Sequence, residues 1–320
     1  MPDPILQEQR TTKKIKQHEV YRLTEVRLPK PSWLKVRIPA QALKVKQVRE
    51  LLAGNGMHTD CQEANCPNLN ECFAKQRATF LILGQICTRR CPFCDVAHGK
   101  PLSPDPLEAD NIVESIKRLN IKFAVLTSVD RDDLKDGGAA HFVHCVKKIQ
   151  QETDAKVEIL VPDFRGRLDR ALEVLSEIKP DIFNHNIETI PRLYREVKPG
   201  GNYEHSLNLL KKWSEIYPDC PTKSGLMVGL GETDEEIVQV LKDLRAHNVQ
   251  MVTIGQYLAP SKYHYPVQRY VHPDIFKKYA QTAKELGFSS CASGVLIRSS
   301  YGAAEQASEF NRLIDNVKDV

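Results

Sequence analysis

No apolar run in the 320 residues approaches the length that a membrane-spanning helix needs, so no membrane segment is expected. The first residues, Met1-Pro2-Asp3-Pro4-Ile5-Leu6, lack the charged-then-apolar order of a secretory leader, and export is not expected either. Without export, nine cysteines read as reduced thiols or metal ligands rather than disulfides. Acidic residues are sparse in the first fifty positions, where Arg10, Lys13, Lys14, Lys16, Arg22, Arg27, Lys46 and Arg49 gather. Few aromatics are interleaved with these charges, which argues against a stacking platform for single-stranded nucleic acid. The basic arm is then a solvated segment or a surface that meets an acidic partner.

Six of the nine cysteines fall between Cys61 and Cys94, in two groups of three. Cys61, Cys66 and Cys72 form the first, and Cys87, Cys91 and Cys94 the second. One apolar run, Ala78–Gly84, separates them and reads as a buried strand. A folding core has no need of two triads about one strand, whereas two metal clusters held close together do. Three thiolates within a short loop can hold three corners of a cubane iron–sulfur cluster, which normally takes four. The fourth iron is then open to a ligand from outside the protein, much as a catalytic zinc keeps one position free. A zinc loop completed from elsewhere is the other reading, but such loops use tight Cys-x-x-Cys pairs two at a time. Here one such pair, Cys91 and Cys94, follows a cysteine four residues earlier.

From Ala78 onward apolar strands alternate with amphipathic helices. Strands are expected at Ala78–Gly84, Phe123–Val129, Lys156–Val161, Ile182–Ile187, Ser224–Leu230, Val249–Tyr257 and near Ala292–Ile297. Ile112, Val113, Ile116 and Leu119 keep helical spacing, as do Ile237, Val240, Leu241 and Leu244, and Thr233 with Glu236 forms a capping box. Strands apolar on both faces predict a parallel sheet with helices outside, with functional residues at the carboxyl ends of the strands. In the arm, a short helix is expected from Val45 to Ala53. The stretch Cys61 to Cys72 reads as a loop shaped by its ligands.

Cys87-x-x-x-Cys91-x-Phe93-Cys94, with the aromatic before its last cysteine, resembles the signature of the radical S-adenosylmethionine (SAM) superfamily. The upstream Cys-x4-Cys-x5-Cys triad and the late Arg298-Ser299-Ser300-Tyr301 narrow the resemblance to the lipoyl synthase family, most of all its bacterial members. Ala78–Gly84, Thr127–Asp133, Leu160–Gly166, Thr222–Thr233 and Gly255–Leu258 resemble that family as well, so the likeness runs from about residue 30 to residue 301. Two positions depart from the family: Gly302 stands where His is common and Val295 where Pro is usual. Neither is an implied ligand.

The resemblance implies an α/β fold, a partial (β/α)6-type barrel of the radical SAM kind with N- and C-terminal extensions. It implies three segments: residues 1–72 with the basic arm and first triad, the barrel at 73–290, and a C-terminal segment at 291–320. It implies two [4Fe-4S] clusters: a radical-generating one on Cys87, Cys91 and Cys94, and an auxiliary one on Cys61, Cys66, Cys72 and Ser300. SAM would meet Phe93 at its adenine, Thr127 and Ser128 at its methionine part and Glu188 at its ribose. The implied reaction inserts two sulfurs, at C6 and C8, into an octanoyl group on a lysine, with the auxiliary cluster giving up its sulfides and no side chain acting as acid, base or nucleophile. Implied partners are octanoylated lipoyl carrier domains (2-oxoacid dehydrogenase E2 subunits and the glycine-cleavage H protein) and reduced ferredoxin or flavodoxin as electron donor. Nucleic acid and membrane are not expected partners, and a cytoplasmic location is. A biotin synthase or a methylthiotransferase is the nearest alternative, and the first triad argues against both. A zinc-stabilised nucleic-acid module is the alternative from another class.

Among the other residues, Asp130, Asp132 and Asp133 lack a calcium loop's spacing and read as a hydrogen-bonded turn. Gly229-Leu230-Gly231 lacks the third glycine of a dinucleotide fingerprint, and more simply lets backbone approach the adenine or a helix pack close. Cys145 falls on an apolar helix face and reads as core. His18, His98, His141, His185 and His264 show no ligand spacing.

Overall fold

The computed structural model describes residues 28–36, 41–308 and 310. The basic positions Arg10, Lys13, Lys14, Lys16, Arg22 and Arg27, and His18, lie outside the described residues. The chain divides into two compact units. One comprises the described parts of Met1–Val157 with Phe164–Ile178 and Ala259–Pro266, the other Glu158–Asp163, Lys179–Leu258 and the described parts of Val267–Val320.

The first unit is built on β1 (His58–Thr59), β2 (Thr79–Ile82), β3 (Ile86–Cys87), β4 (Ala97–His98) and β5 (Phe123–Ser128). β2 runs antiparallel to β1 and parallel to β5, with Ile82 level with Ser128. All four β2 residues are buried, the signature of a strand covered on both faces. Its helices follow the sequence periodicity. Glu108–Leu119 buries Ile112, Val113, Ile116 and Leu119. Ala139–Glu152 buries Phe142, Val146, Ile149 and Cys145, which is a core residue as expected. The arm's helix spans Ala42–Gly54 and buries Val45, Val48 and Leu52.

Cys61 to Cys72 is not the loop that the sequence suggested. Short helices cover Asp60–Glu63 and Leu69–Ala74. Thr59 caps the first, its Oγ1 accepting from the Gln62 N–H at 3.3 Å. Phe73, fully buried, anchors the second. A cap and an apolar anchor shape this stretch, and the spacing of the cysteines alone does not reveal them.

In the second unit β6 (Lys156–Leu160, from Glu158 on), β7 (Ile182–Asn184), β8 (Thr222–Val228), β9 (Met251–Gln256) and β10 (Ser290–Gly294) lie side by side in that order, all parallel. The capping box before Asp234–Ala246 is formed in both directions, with Thr233 N–H on Glu236 at 2.9 Å and Glu236 N–H on Thr233 at 3.2 Å. Ile237, Val240, Leu241 and Leu244 turn inward from that helix. Trp213 stacks on Phe183 with ring centres 4.2 Å apart. A fully buried ion pair spans β6 and β8: Lys223 Nζ lies 3.2 and 3.1 Å from the Glu158 oxygens, and Asn184 on β7 donates to the same carboxylate at 2.7 Å. Charges so deep persist only when paired and hydrogen-bonded. Among the described residues no helix is long and apolar enough to cross a membrane.

His185, just past β7, donates from Nδ1 to the Val161 carbonyl at 2.8 Å and accepts at Nε2 from Ser206, 3.0 Å away. Burial first, then the charge of Lys198, holds this imidazole down to about 3. In the unfolded chain it titrates near ~6.5. Between those values the unfolded state binds the extra proton, so stability falls as pH drops through that window. His185→Gln should flatten the fall in the urea midpoint between about pH 7 and pH 5. An unaltered slope would show that His185 is not its source.

Candidate functional site

The second cysteine triad sits on a loop with a narrow neck. β3 and β4 pair in parallel, Cys87 opposite His98, and the Gly99 N–H returns to the Cys87 carbonyl at 2.9 Å. Residues 88–96 are thus a loop closed at its base. It is fastened on one side to the end of β5. Thr88 reaches the Asp130 carbonyl through its N–H at 3.0 Å and its hydroxyl at 2.9 Å, and Arg89 forks onto Asp132 at 2.8 and 2.9 Å. Residues 261–265 fasten another side. His264 Nε2 donates to the Cys94 carbonyl at 3.2 Å, and the Tyr265 N–H donates to the Pro92 carbonyl at 2.9 Å. Since Nε2 donates, Nδ1 accepts the Ser261 hydroxyl at 2.8 Å.

Cys61 is buried and the other five cysteines of the two triads are half-buried. Burial first, then the charge of Asp130, pushes the Cys87 thiol up to about 12, and its S–H points to the Asp130 carboxylate 3.7 Å away. Cys94 is driven well above the usual thiol range by burial and then by Cys91. In the first triad burial followed by Cys66 raises both Cys61 and Cys72, the latter to about 11. The Asp60 charge is a lesser contribution to the rise of Cys61 and of Cys94. Backbone N–H groups already aim at two sulfurs, Arg89 at Cys87 (3.4 Å) and Val96 at Cys94 (3.5 Å).

This set fits an iron–sulfur cluster. Neighbouring thiols that raise one another hold protons until a cation replaces them, and N–H donors on the sulfurs are a recognised means of tuning such a cluster. Among the described residues no three His, Cys, Asp or Glu side chains gather tightly enough to hold one metal ion. A cubane spreads its ligands over separate corners and does not require that they do.

The four expected SAM contacts divide between the units. Phe93 is half-buried on the cluster loop. Thr127 is buried near the end of β5, and the Ser128 hydroxyl beside it is buried with no hydrogen-bond partner, an orphan that a bound ligand can satisfy. Glu188, in the second unit, has a left-handed backbone (φ 70°), pinned by its N–H on Gly225 O (3.0 Å) and by the Met227 N–H on its own carbonyl (2.8 Å). Glutamate in that conformation is strained, and such strain collects at functional sites. The Gly229–Gly231 turn is closed by the protein itself, since Glu232 accepts the Gly229 and Leu230 N–H groups at 2.6 and 2.8 Å.

Ser300 lies in a turn in the second unit, where the Tyr301 N–H reaches the Arg298 carbonyl at 2.9 Å. Asn186 donates to the Ser299 hydroxyl at 3.4 Å. Asp132 and Asp133 lie in a hydrogen-bonded turn, as the sequence suggests, with the Leu134 N–H on the Arg131 carbonyl at 2.9 Å, and Asp130 and Asp132 also anchor the cysteine loop. His264 was given no role because nothing in the spacing ties it to Cys94, 170 residues away.

Residues 81–244 match the radical SAM superfamily. The lipoyl synthase of Pseudoalteromonas atlantica is 58% identical over 281 residues, 88% of each chain. That of Neisseria meningitidis serogroup A is 56% identical over 284 residues, 88% of this chain and 86% of the other. The chain belongs to the lipoyl synthase family. Solved structures agree on the fold. Streptococcus suis SuiB bound to its precursor peptide SuiA superposes with a TM-score of 0.53 at 12% identity, covering 88% of this chain and 61% of that one. HydG, a maturase of the [FeFe]-hydrogenase, gives 0.53 at 13% identity, covering 95% and 68%. The fold class is therefore the partial α/β barrel of radical SAM enzymes, as expected. As a radical SAM enzyme of the lipoyl synthase family, the chain works with SAM and a [4Fe-4S] cluster.

The segment at Ile297 and Arg298 depends on a glycine. A Cβ at Gly255 would overlap the Ile297 carbonyl and crowd Arg298 Nη1 at 3.2 Å, and backbone atoms cannot swing aside as a side chain can. Gly255→Ala should cost about 1–3 kcal/mol in urea unfolding, as overpacking does. It should also raise amide exchange in residues 295–302 above that in β8. Unchanged exchange there would contradict the packing described.

Proposed function

We propose that Cys87, Cys91 and Cys94 hold the [4Fe-4S] cluster at which SAM binds, and that Cys61, Cys66 and Cys72, with Ser300, hold a second. The observation that carries this reading is the loop of Cys87, Cys91 and Cys94, closed at its neck by the Gly99 N–H on the Cys87 carbonyl at 2.9 Å and with N–H donors aimed at two of its sulfurs, with the second triad in the same unit. When bound, the first cluster supplies the electron that cleaves SAM, and the second is the source of the sulfur. The reaction inserts sulfur at C6 and C8 of an octanoyl group carried on a lysine. Unactivated C–H bonds require a radical from the cofactor, while the protein contributes placement and exclusion of water.

The chain's own residues divide that work. Thr88 and Arg89 fasten the cluster loop to the end of β5, and His264 fastens its Cys94 end. Ser128 offers an unpartnered hydroxyl to the methionine part of SAM, with Thr127 beside it. Phe93 lies against the adenine, and Glu188 accepts from the ribose hydroxyls. No side chain is assigned as acid, base or nucleophile. In functional terms residues 1–72 carry the arm and the auxiliary-cluster cysteines, 73–290 the barrel and 291–320 the Ser300 segment.

The substrate is a lipoyl carrier domain, such as a 2-oxoacid dehydrogenase E2 subunit or the glycine-cleavage H protein. Reduced ferredoxin or flavodoxin gives the electron, and the setting is cytoplasmic. The basic arm guides acidic carrier domains. Reversing the charges of Lys13, Lys14 and Lys16 should slow carrier encounter chiefly at low salt, because screening weakens exposed charges. Association rates that match the parent at every ionic strength would remove that role for the arm.

Iron and acid-labile sulfide, counted on anaerobically reconstituted protein, test the two-cluster reading. About eight of each are expected, falling to about four in a Cys61, Cys66, Cys72 triple alanine variant, as two cubanes require. That variant should still cleave SAM and form no lipoyl product. About four irons in both proteins would eliminate the second cluster, and zinc in place of iron would eliminate both.

A further inference from the structure

Arg131 is only 2% exposed, and the roles assigned above leave it unused. Its Nη1 donates to the Leu83 carbonyl at 3.0 Å and its Nη2 to the Leu102 carbonyl at 2.9 Å. Nε and Nη2 also fork onto Asp133, each at 2.9 Å, and these bonds hold the Asp133 carboxyl below its usual range. Leu83 immediately precedes the stretch 84–101 that carries Cys87, Cys91 and Cys94, and Leu102 immediately follows it. One guanidinium therefore grips the chain at both ends of the cluster segment.

The entry end is held on every side. Leu83 adopts a left-handed backbone (φ 66°), which leucine rarely does, and Gly84 follows at φ 84°. Together they swing the chain out of β2 and toward β3. The Leu83 N–H donates to the buried Glu108 carboxylate at 2.9 Å, and His141 Nε2 secures the same oxygen at 2.6 Å. The Leu83 side chain fills the space that a Cβ at Gly138 would take. Leu83 thus has its N–H held by Glu108, its carbonyl by Arg131 and its side chain under Gly138.

We infer that Arg131 is a positioning residue that clasps the two ends of the cluster segment, with Glu108 locking the Leu83 turn, so that the ends of the segment are already brought together before the cluster arrives. The inference rests on the reading that Cys87, Cys91 and Cys94 hold a cluster. Closing a segment of this length costs chain entropy, and a clasp formed on folding removes that cost from the binding step. A lysine cannot replace it, because one ammonium lacks the planar fork that serves two carbonyls and a carboxylate at once.

The test uses the full chain with Cys61, Cys66 and Cys72 replaced by alanine, so that only this segment loads iron, and adds Arg131→Lys, Arg131→Gln, Glu108→Ala or Cys91→Ala. In the metal-free chain, amide exchange of residues 84–101 should rise about tenfold in Arg131→Lys, as loss of a charge-assisted hydrogen bond implies. Exchange in β8 should not change, which separates a released clasp from general unfolding if Arg131→Gln proves too unstable to handle. Iron and sulfide uptake at limiting iron should slow several-fold in Arg131→Lys and Glu108→Ala, and the electron paramagnetic resonance line shape of the reduced cluster should broaden. Parental exchange and uptake in Arg131→Lys would overturn the inference. Full iron in Cys91→Ala would instead overturn the cluster reading beneath it, and the exchange data on Arg131→Lys would still report whether the ends are clasped.

Discussion

Buried thiols that crowd one another are a liability until a cation takes their protons, and the first unit is arranged around that fact. Nothing in the cysteine loop is apolar enough to fold on its own account. Its shape is imposed from outside by backbone carbonyls and N–H groups: Asp130 on Thr88, Gly99 on Cys87, His264 on the Cys94 carbonyl. A loop that carried its own core would have no room for metal. One that carried neither core nor anchors would pay the full entropy of ordering at the moment of metal binding.

The same logic explains where the sequence could be read and where it could not. β2, β5 and β9 are largely apolar runs covered on both faces, and the alternation of such runs with amphipathic helices located them. The capping box at Thr233 and Glu236 and the core position of Cys145 follow from local spacing, which the chain's neighbours in sequence decide. β7 ended at Asn184, earlier than its apolar run suggests, before the left-handed backbone at Glu188. The helices of the first triad are not legible in the cysteine spacing, because Thr59 and Phe73, which cap and anchor them, lie outside that pattern.

The candidate site divides likewise. Its cysteines stand out by spacing and by a resemblance that the relatives at 58% and 56% identity bear out at the level of family. Its supports are long-range pairs: Arg89 with Asp132 across 43 residues, Arg131 with Leu83 across 48, His264 with Cys94 across 170. No local period encodes such pairs. Two of them use aspartates or arginines in a charged run that resembles an ordinary solvated turn, and only burial distinguishes them.

The neck formed by β3 and β4 has a consequence for substitutions in the loop. The bonds that frame this loop are accepted by main-chain carbonyls at its boundary, at Cys87, Leu83 and Leu102, and donated by the Gly99 N–H and the Arg131 guanidinium, all outside residues 88–96. Exposed positions within it, such as Arg90, can drift without altering the frame. The scaffold thus behaves as a socket with fixed terminals, and substitutions at such exposed positions change what the loop presents to its surroundings while the frame stays put.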